Sequence, residues 1–353
     1  MLPLQKSYQQ RLDYLHAHTT FTVFGAGSGG VKVIEYLQQH GKTIDLILDN
    51  AQNKHGTFIK GIEISLPTHE TINRNPVIIA STWHYEIIKQ LDELACKSYC
   101  DFSLTGLSKE NMSDEVIKEI EWLHQRLADT ASQDELTHIA RYIDNETNKR
   151  GQSSYEQYHH PNIVLQENDT VIDGGAFDAL STIAMLPHFK CKLDIHAFEP
   201  EDKNILQCKR TLKNHDVDAC IKLVPKGLWS TQTSLFFSSS EQIHGAGCNI
   251  NEQGDIEVKV TNIDAYCAEH ELIPQYIKMD IEGAEYEALL GAKHTIAAHM
   301  PYLAICLYHD FDDLWRLPRL IDNWVPSYDM YIGHHSNRWF ETVLYCIPKD
   351  SGL

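Results

Sequence analysis

The stretch that decides the fold lies at residues 278–285 and reads Lys278-Met279-Asp280-Ile281-Glu282-Gly283-Ala284-Glu285. The apolar lead-in Tyr276-Ile277 predicts a β-strand that ends at Asp280, and the chain then turns at Gly283 into a helical pattern. A carboxylate at such a strand end lies at the carboxyl edge of the sheet, where open α/β folds bind their ligands. The stretch therefore predicts an α/β sheet with Asp280 at its binding edge.

The two glutamates of this stretch have a second interpretation. In the first turn of a helix, Glu282 and Glu285 complement the helix dipole and its free amide groups without any chemistry. We favour this structural role for the glutamates and a functional role for Asp280, because active sites use carboxylates that face a cleft.

Length and composition are those of an ordinary globular protein. The 353 residues suffice for two domains, with 42% hydrophobic and 22% charged residues. Thirty basic and 49 acidic residues give a net charge of −19, which disfavours nucleic acid as a partner. The first ten residues lack the apolar core of a signal peptide, and no window approaches a membrane span. We expect a cytoplasmic protein.

Cysteine and histidine spacing gives no metal signature. The nine cysteines are scattered and include no Cys-x-x-Cys pair, so neither a disulfide framework nor a cysteine zinc site is expected. The 20 histidines include no His-x-x-x-His on a predicted helix. The sequence therefore predicts reduced thiols, and the cysteine and histidine spacing gives no support for a zinc site.

A glycine turn near the amino end indicates a small nucleotide-binding module. A short strand ends at Phe24, the turn carries Gly25, Gly27 and Gly30, and a second strand ends at Asp49. Up to residue 105 there is only about half of a full dinucleotide-binding domain. Residues 20–105 also resemble the module of some bacterial sugar acyltransferases that handles a nucleotide-sugar. A fold used only for packing or docking is the alternative.

The rest of the chain divides into a connector and a larger domain. Apolar spacing predicts helices between residues 106 and 150. The sequence thus predicts a small Rossmann-like domain at residues 1–105, a helical connector at 106–150, and a second domain at 151–353. A loop at residues 238–248 is suited to covering a substrate, although an ordinary hairpin is as probable from its composition.

A second glycine turn opens the larger domain. It reads Asp173-Gly174-Gly175-Ala176 after a predicted strand, and the next strand ends in Phe198-Glu199-Pro200. Together with Ile263-Asp264, residues 278–285, Tyr308-His309 and Gly333-His334-His335, these blocks resemble the FkbM family of S-adenosylmethionine-dependent methyltransferases over residues 155–347. Ala179 departs from the glycine common in related sequences.

The resemblance implies a class I methyltransferase fold with a seven-stranded sheet, and methyl transfer to a hydroxyl of a sugar, polyketide or related compound. It implies S-adenosylmethionine as cofactor, with Glu199 on the ribose and the glycines allowing close backbone approach. The predicted cofactor-binding residues are Asp173, Gly174, Gly175, Ala176, Phe177, Glu199 and Pro200.

The predicted catalytic residues lie at the ends of later strands: Asp280, His309, Glu282 and His334. A histidine suits removal of a hydroxyl proton near neutral pH. Carboxylate and imidazole together also permit a divalent metal, which we rank below a metal-free base.

The leading interpretation is an S-adenosylmethionine-dependent O-methyltransferase that acts on a sugar or glycan hydroxyl, with a nucleotide-sugar as a second partner of the amino-terminal module. One alternative is an NAD-dependent sugar-modifying enzyme that uses Gly25, Gly27, Gly30 and Asp49. Another is a non-catalytic carbohydrate-binding protein with a methyltransferase-like fold. The acceptor and the oligomeric state cannot be read from the residues.

Overall fold

The computed structural model describes residues 11–81, 83–102, 114–142, 152–217, 221–237, 256–310, 312–336 and 341–349. The chain forms two compact units. Unit 1 comprises Met1–Glu119, Leu136–Arg150 and Asn337–Trp339, and unit 2 comprises Ile120–Glu135, Gly151–Ser336 and Phe340–Leu353. The loop predicted at residues 238–248 lies outside the described residues.

Unit 1 is built on a six-stranded sheet of order β3-β4-β2-β1-β5-β6, parallel except for the β3–β4 hairpin. The strands are β1 (Thr20–Phe24), β2 (Thr43–Leu48), β3 (Phe58–Ile59), β4 (Ile62–Ser65), β5 (Val77–Ile79) and β6 (Tyr99–Asp101). The helices are α1 (residues 11–17), α2 (Ser28–Gln39) and α3 (His84–Glu93), with 3₁₀ turns at Gln52–Lys54 and Thr71–Asn73.

Both faces of this sheet are covered. Phe21 and Val23 of β1 pack in one apolar cluster with Leu37 of α2, while Phe24 packs in a second cluster with Leu91 of α3. Successive side chains of a strand point to opposite faces, so β1, whose last four residues are all buried, requires a covering layer on each side of the sheet. The predicted strand, glycine turn and helix are therefore present, in a Rossmann-like module.

Unit 2 is built on a seven-stranded sheet of order β15-β16-β14-β13-β7-β8-β9, in which β16 runs antiparallel to its neighbours. Its strands are β7 (Thr170–Gly174), β8 (Asp194–Phe198), β9 (Ile221–Val224), β13 (Pro274–Met279), β14 (Tyr302–Cys306), β15 (Tyr328–His334) and β16 (Thr342–Pro348). A small sheet of order β10-β12-β11 comprises β10 (Gly227–Leu228), β11 (Thr233–Phe237) and β12 (Ile256–Thr261).

The helices of unit 2 alternate with its strands. They are α6 (Leu180–Phe189), α7 (Asp202–Asn214), α8 (Ile263–His270), α9 (Glu285–Leu290), α10 (Lys293–His299) and α11 (Asp313–Trp324). Two further helices, α4 (Asp114–Arg126) and α5 (Thr130–Tyr142), contain residues of both units. None of the helices among the described residues has the length and apolar character needed to cross a membrane. The predicted α/β class, with a seven-stranded sheet preceded by a smaller Rossmann-like domain, is confirmed.

Residues at the end of α4, at the start of α5 and between them cover the edge strand β15. Leu127 forms a bridge with Met330, and the Ile332 amide donates to Oγ of Ser132 at 3.0 Å. Nε of Arg126 lies 2.7 Å from Oδ1 of Asp322 in α11. An uncovered edge strand offers unpaired amide and carbonyl groups to other chains, so this contact protects the sheet.

The predicted block Ile263-Asp264 has a structural function. Oδ1 of Asp264 accepts a hydrogen bond from the Thr295 amide at 2.8 Å, and Oδ2 accepts one from the His294 amide at 3.0 Å. These amides belong to the first turn of α10 and have no partner within the helix. Asp264 therefore caps α10 from the start of α8.

Candidate active site

The glycine turn between β7 and α6 lies at the carboxyl edge of the seven-stranded sheet. Gly175 has φ +83°, and a Cβ atom there would lie 1.8 Å from the Asp280 carbonyl oxygen. The amides of Gly175 and Ala176 donate to the Phe198 carbonyl at 3.1 and 3.0 Å. Only glycine fits this position, because both the backbone angle and the close approach exclude a side chain. The turn therefore joins the ends of β8 and β13.

A buried ion pair stabilises this glycine turn. Nζ of Lys278 lies 2.8 Å from Oδ1 of Asp173, and both side chains are almost completely buried. The same ammonium donates to the carbonyls of Gly175 at 2.8 Å and Gly174 at 3.2 Å, while Thr182 donates to Asp173. Burial alone would lower the pKa of Lys278, but Asp173 and Asp280 together outweigh burial and raise it. Asp173 is thus engaged inside the protein, and its direct contact with a cofactor stays a prediction.

Glu199 follows β8 and faces the same turn. Its Oε2 accepts a hydrogen bond from the Phe177 amide at 2.9 Å, and its Oε1 accepts one from the Glu201 amide at 2.9 Å. Asn204 donates to Oε1 at 3.4 Å. Burial raises the pKa of Glu199. An ionised carboxylate accepts about four hydrogen bonds, so Glu199 retains capacity for a ligand hydroxyl.

Two exposed or strained residues adjoin Glu199. Phe177 has φ +53° and 64% of its surface exposed, although it is a large apolar residue. Ala179, where the sequence departs from the glycine of related proteins, has φ +66° and is buried. Glycine adopts this left-handed conformation without strain, which explains the preference at this position. Pro200 follows Glu199, and its ring lies 3.6 Å from the Cβ position of Gly227.

Asp280 lies between two tyrosine hydroxyls. Tyr158 donates to Oδ2 at 2.6 Å, and Tyr308 donates to Oδ1 at 2.8 Å. The Asp280 side chain remains 24% exposed. Burial alone would raise the pKa of Asp280, but Lys278, His309 and the two hydroxyls outweigh burial and lower it. The carboxylate is therefore ionised, oriented and open to a ligand.

His309 is buried among three carboxylates. Its Nδ1 lies 2.9 Å from Oε1 of Glu285, while its Nε2 lies 3.4 Å from Asp280 and 3.6 Å from Glu282. Burial alone would lower the pKa of His309, but Glu285, Asp280 and Glu282 outweigh burial and raise it to about 10. The ring is therefore protonated at neutral pH.

Glu285 anchors the turn between β13 and α9. It is fully buried, and its two oxygens accept hydrogen bonds from the amides of Ile281 at 2.8 Å and Gly283 at 2.9 Å. Asp280, Glu285 and His309 each offer an atom within 4.8 Å of the others, which is a spacing that suits a divalent cation. Their oxygens already accept hydrogen bonds from two tyrosines and two amides, so the protein itself satisfies the cluster.

The structure brings Asp280, Glu282 and His309 together, whereas His334 lies at the end of β15. Strands β16 and β14 separate β15 from β13. The His334 ring is buried, and its Nδ1 lies 2.9 Å from Oγ1 of Thr342. The catalytic role predicted for His334 stays a prediction, and this environment favours a packing role.

Several residues of this cluster were not among the predicted site residues. Tyr308 adjoins His309 in a family block, so its position at the strand end was available as a signal. Tyr158 lies in an irregular segment before β7, where no pattern points to the site. Gln157 donates both to the Tyr158 hydroxyl at 2.9 Å and to Glu341.

In unit 1, Asp49 lies beside the first glycine turn. Its oxygens accept hydrogen bonds from the amides of Ala26 at 2.9 Å and Ala51 at 2.8 Å, and Lys54 lies 3.0 Å away. Burial alone would raise the pKa of Asp49, but these donors lower it. The side chain therefore has limited capacity left for a ribose.

The three glycines of that turn differ in what surrounds them. Gly25 has φ +127°, and a Cβ atom at Gly30 would lie 1.9 Å from the Gly25 carbonyl oxygen. Backbone conformation and packing therefore explain why glycine stands at positions 25 and 30. At Gly27, no atom lies within 4 Å of the Cβ position.

The part of the chain that contains this site is similar to known methyltransferases. Residues 173–332 match the model of the methyltransferase FkbM domain. No curated protein matches the chain. The solved structure of methyltransferase FkbM from Methylobacillus flagellatus KT is similar over 97% of this chain and 99% of its own, at 19% identity and a TM-score of 0.65. It shares the fold of nearly the whole chain.

Two further solved structures are less similar. A putative rRNA-methylase from Clostridium thermocellum covers 54% of this chain and 91% of its own, with 11% identity and a TM-score of 0.35. UDP-D-quinovosamine 4-dehydrogenase from Vibrio fischeri covers 27% and 82%, with 23% identity and a TM-score of 0.21. The match to the methyltransferase FkbM domain, at residues 173–332, includes the glycine turn, Glu199, Asp280 and His309.

Proposed function

We propose that the protein is an S-adenosylmethionine-dependent O-methyltransferase that acts on a hydroxyl of a sugar or related polyhydroxylated compound. The observation that carries this proposal is one sheet edge on which the Gly175 turn, Glu199 and the clamped carboxylate of Asp280 meet. The turn and Glu199 form the cofactor side, and Asp280 with His309 and Glu282 forms the acceptor side.

The cofactor side fits S-adenosylmethionine by its chemistry. Glu199 has capacity for ribose hydroxyls, and the exposed ring of Phe177 offers an apolar surface next to it. At Gly174 and Gly175 a side chain would meet Leu228 and the Asp280 carbonyl oxygen inside the protein, so these glycines set the course of the turn on which the methionine part would lie. When bound, S-adenosylmethionine supplies a methyl group on a positively charged sulfur, a charge that the carboxylates of Asp280, Glu282 and Glu285 favour.

On the acceptor side, Asp280 accepts the proton of the acceptor hydroxyl. Its exposed fraction leaves it accessible, and its lowered pKa keeps it ionised. His309 is protonated at neutral pH, so we assign it the role of holding Asp280 and Glu282 in place electrostatically. A carboxylate suffices as the base, because the acceptor oxygen becomes strongly acidic as its bond to the methyl group forms.

The charge of the cluster supports a neutral acceptor. The carboxyl groups of Asp280, Glu282 and Glu341 lie close enough to influence one another electrostatically, and the Glu282 side chain is 55% exposed. An anionic group placed here would be repelled, whereas the hydroxyls of a sugar can donate hydrogen bonds to these carboxylates. This supports a sugar hydroxyl as the substrate.

One experiment tests the proposal directly. The purified protein is analysed by mass spectrometry for retained S-adenosylmethionine or its demethylated product. It is then incubated with S-adenosylmethionine carrying a tritiated methyl group and a panel of monosaccharides, oligosaccharides and nucleotide-sugars. Label transfer to a sugar supports the function. Binding without transfer to any hydroxyl compound would favour a non-catalytic carbohydrate-binding protein.

Replacing Glu199 by Ala should weaken S-adenosylmethionine binding tenfold or more. Hydrogen bonds to a charged acceptor contribute roughly 1.5 to 3 kcal/mol, and the variant also loses the acceptor that orients the Phe177 amide. Isothermal titration calorimetry measures the affinity. The control is Glu201→Ala, because Glu201 contacts Glu199 through its backbone amide, which the substitution keeps. Equal affinity in the Glu199 variant and the wild type would reject this ribose site.

We propose a nucleotide-sugar as ligand of unit 1, supported by the open space at Gly27. Gly27 has φ −100° and ψ −171°, which any residue adopts, so Gly27→Val should fold normally. Its side chain would occupy the space beside the amides of α2 and block binding. The change in melting temperature on adding a UDP-hexose or NAD measures the binding of each ligand to the wild type and to Gly27→Val.

In contrast to Gly27→Val, Gly25→Ala should destabilise unit 1, since a Cβ atom there would lie 2.5 Å from the Ala80 carbonyl oxygen. Unchanged UDP-hexose binding by Gly27→Val would contradict the proposed site. Preferential binding of NAD, with hydride transfer by the whole protein, would support the NAD-dependent alternative.

A further inference from the structure

Tyr158 lies outside the matched FkbM domain, in the irregular segment before β7, yet it reaches the acceptor side of the site. Its backbone has φ +67°, a left-handed conformation that is costly for a non-glycine residue. Two buried tyrosines hold it there. The Tyr158 amide donates to the Tyr345 hydroxyl at 3.0 Å, and the Tyr158 carbonyl accepts from the Tyr276 hydroxyl at 2.7 Å.

The Tyr158 hydroxyl completes a clamp on Asp280. It donates to Oδ2 at 2.6 Å, while Tyr308 donates to Oδ1 at 2.8 Å. Gln157 donates to the Tyr158 hydroxyl at 2.9 Å, so this hydroxyl is directed toward the carboxylate. With one donor on each oxygen, the carboxylate plane is fixed, and lone pairs remain for a ligand because the side chain is 24% exposed.

We infer that Tyr158 is a positioning residue of the methyl-transfer site, supplied by the segment outside the FkbM domain, and that it orients Asp280 toward the acceptor hydroxyl. The inference rests on the proposed function. Because its backbone is fixed at both the amide and the carbonyl, the Tyr158 side chain is held in one direction, toward Asp280. A reacting carboxylate does need fixed geometry, because small misplacements of a catalytic group cost large factors in rate.

Several groups besides Tyr158 face Asp280 and set its titration. They are Lys278 on β13, Cys306, Tyr308 and His309 at the end of β14, and Glu341 before β16. Burial raises the pKa of Tyr158 well above its usual value, so its hydroxyl stays a donor at every working pH. A hydrogen bond donated to a carboxylate favours the ionised form. Loss of the Tyr158 hydroxyl should therefore move the Asp280 titration to higher pH.

The test compares Tyr158→Phe with Tyr155→Phe in the full-length protein. Tyr155 lies in the same segment, and its ring packs on His160, His335 and Tyr345, contacts that phenylalanine keeps. We expect Tyr158→Phe to lower kcat about tenfold or more, with the affinity for S-adenosylmethionine within about twofold and the acidic limb of the kcat profile at higher pH. Tyr155→Phe should match the wild type. The methyl acceptor in this assay is the sugar or nucleotide-sugar that the wild-type protein methylates fastest.

Three results would overturn the inference. Each concerns Tyr158→Phe: a kcat within twofold of the wild type, an acidic limb of the kcat–pH profile at the same pH as in the wild type, or a loss of S-adenosylmethionine binding, which would place Tyr158 on the cofactor side. If Tyr158→Phe does not fold, Tyr345→Phe decides, since it removes one hydroxyl, which holds the Tyr158 amide and also lies 2.8 Å from Nε2 of His335. An unchanged kcat in that variant then overturns the inference.

A measurement without an acceptor separates this inference from the proposed function. Carbon-13 NMR of labelled aspartate follows the Asp280 carboxyl group through a pH titration, with Asp280→Asn to assign the signal. A wild type that transfers no methyl group to any hydroxyl compound refutes the proposed function. A titration of Asp280 that is identical in the wild type and Tyr158→Phe refutes the clamp, whatever the activity.

Discussion

Replacing Asp280 by Asn should lower kcat by about 10²- to 10⁴-fold, the usual contribution of a general base. The amide keeps the shape of the carboxylate and one acceptor oxygen, so one tyrosine hydroxyl keeps its partner. It cannot take a proton. Because Glu199 lies on a different strand end, the affinity for S-adenosylmethionine should stay within a few fold. Initial rates with tritiated methyl donor and calorimetry measure the two quantities.

A matched control for Asp280→Asn is Asp310→Asn. Asp310 is an exposed carboxylate that follows the same strand as His309, so the substitution removes the same charge nearby. We expect its kcat within about twofold of the wild type. If both variants lose activity equally, general loss of negative charge accounts for the effect and Asp280 is not the base.

The pH profile distinguishes Asp280 from His309 as the base. Asp280 is ionised throughout the neutral range because its pKa is lowered, so kcat should be flat between about pH 6 and 9. His309 carries a raised pKa of about 10, and as the base it would instead make kcat rise tenfold per pH unit up to that value. A rise of that form would transfer the role of base to His309.

The strand ends and turns of this protein could be predicted from its sequence because they depend on local patterns. Asp280 and Glu199 each follow an apolar strand, and both lie at the carboxyl edge as predicted. Gly175 is required by a positive φ and by a backbone contact, which a glycine in a strand-to-helix turn signals. The seven-stranded sheet followed from the resemblance of several ordered blocks, whereas the antiparallel direction of β16 was not predicted.

Side-chain partners across the sheet could not be predicted in the same way. Asp173 pairs with Lys278 because β7 and β13 bring these residues into register, and no local pattern sets the register of strands about a hundred residues apart. Tyr158 contacts Asp280 across 122 residues of sequence, from a segment without periodicity. The ionisation of His309 depends on three carboxylates that tertiary structure brings together, so its residue type alone suggested a neutral base.

Replacing Lys278 by Met should destabilise unit 2 by about 3 to 5 kcal/mol, the usual cost of removing one partner of a buried ion pair. Met fills much of the space of the lysine stem. Asp173, however, is then a buried charge that has lost its ammonium partner and keeps the hydrogen bond from Thr182. The carbonyls of Gly174 and Gly175 also lose their ammonium donor. Thermal and urea unfolding, followed with and without S-adenosylmethionine, measure the loss.

The cause of that loss is tested by a second substitution and a surface control. Lys278→Met combined with Asp173→Asn removes the unpaired charge, so the double variant should be more stable than Lys278→Met alone. Lys349→Met breaks the exposed pair with Asp329, whose side chains are 54% and 36% exposed, and should change stability by less than about 1 kcal/mol. A double variant no more stable than the single one would mean that lost packing, and not the charge of Asp173, destabilises the turn. In that case the ion pair beneath Gly174 and Gly175 would not be what holds the cofactor side in place.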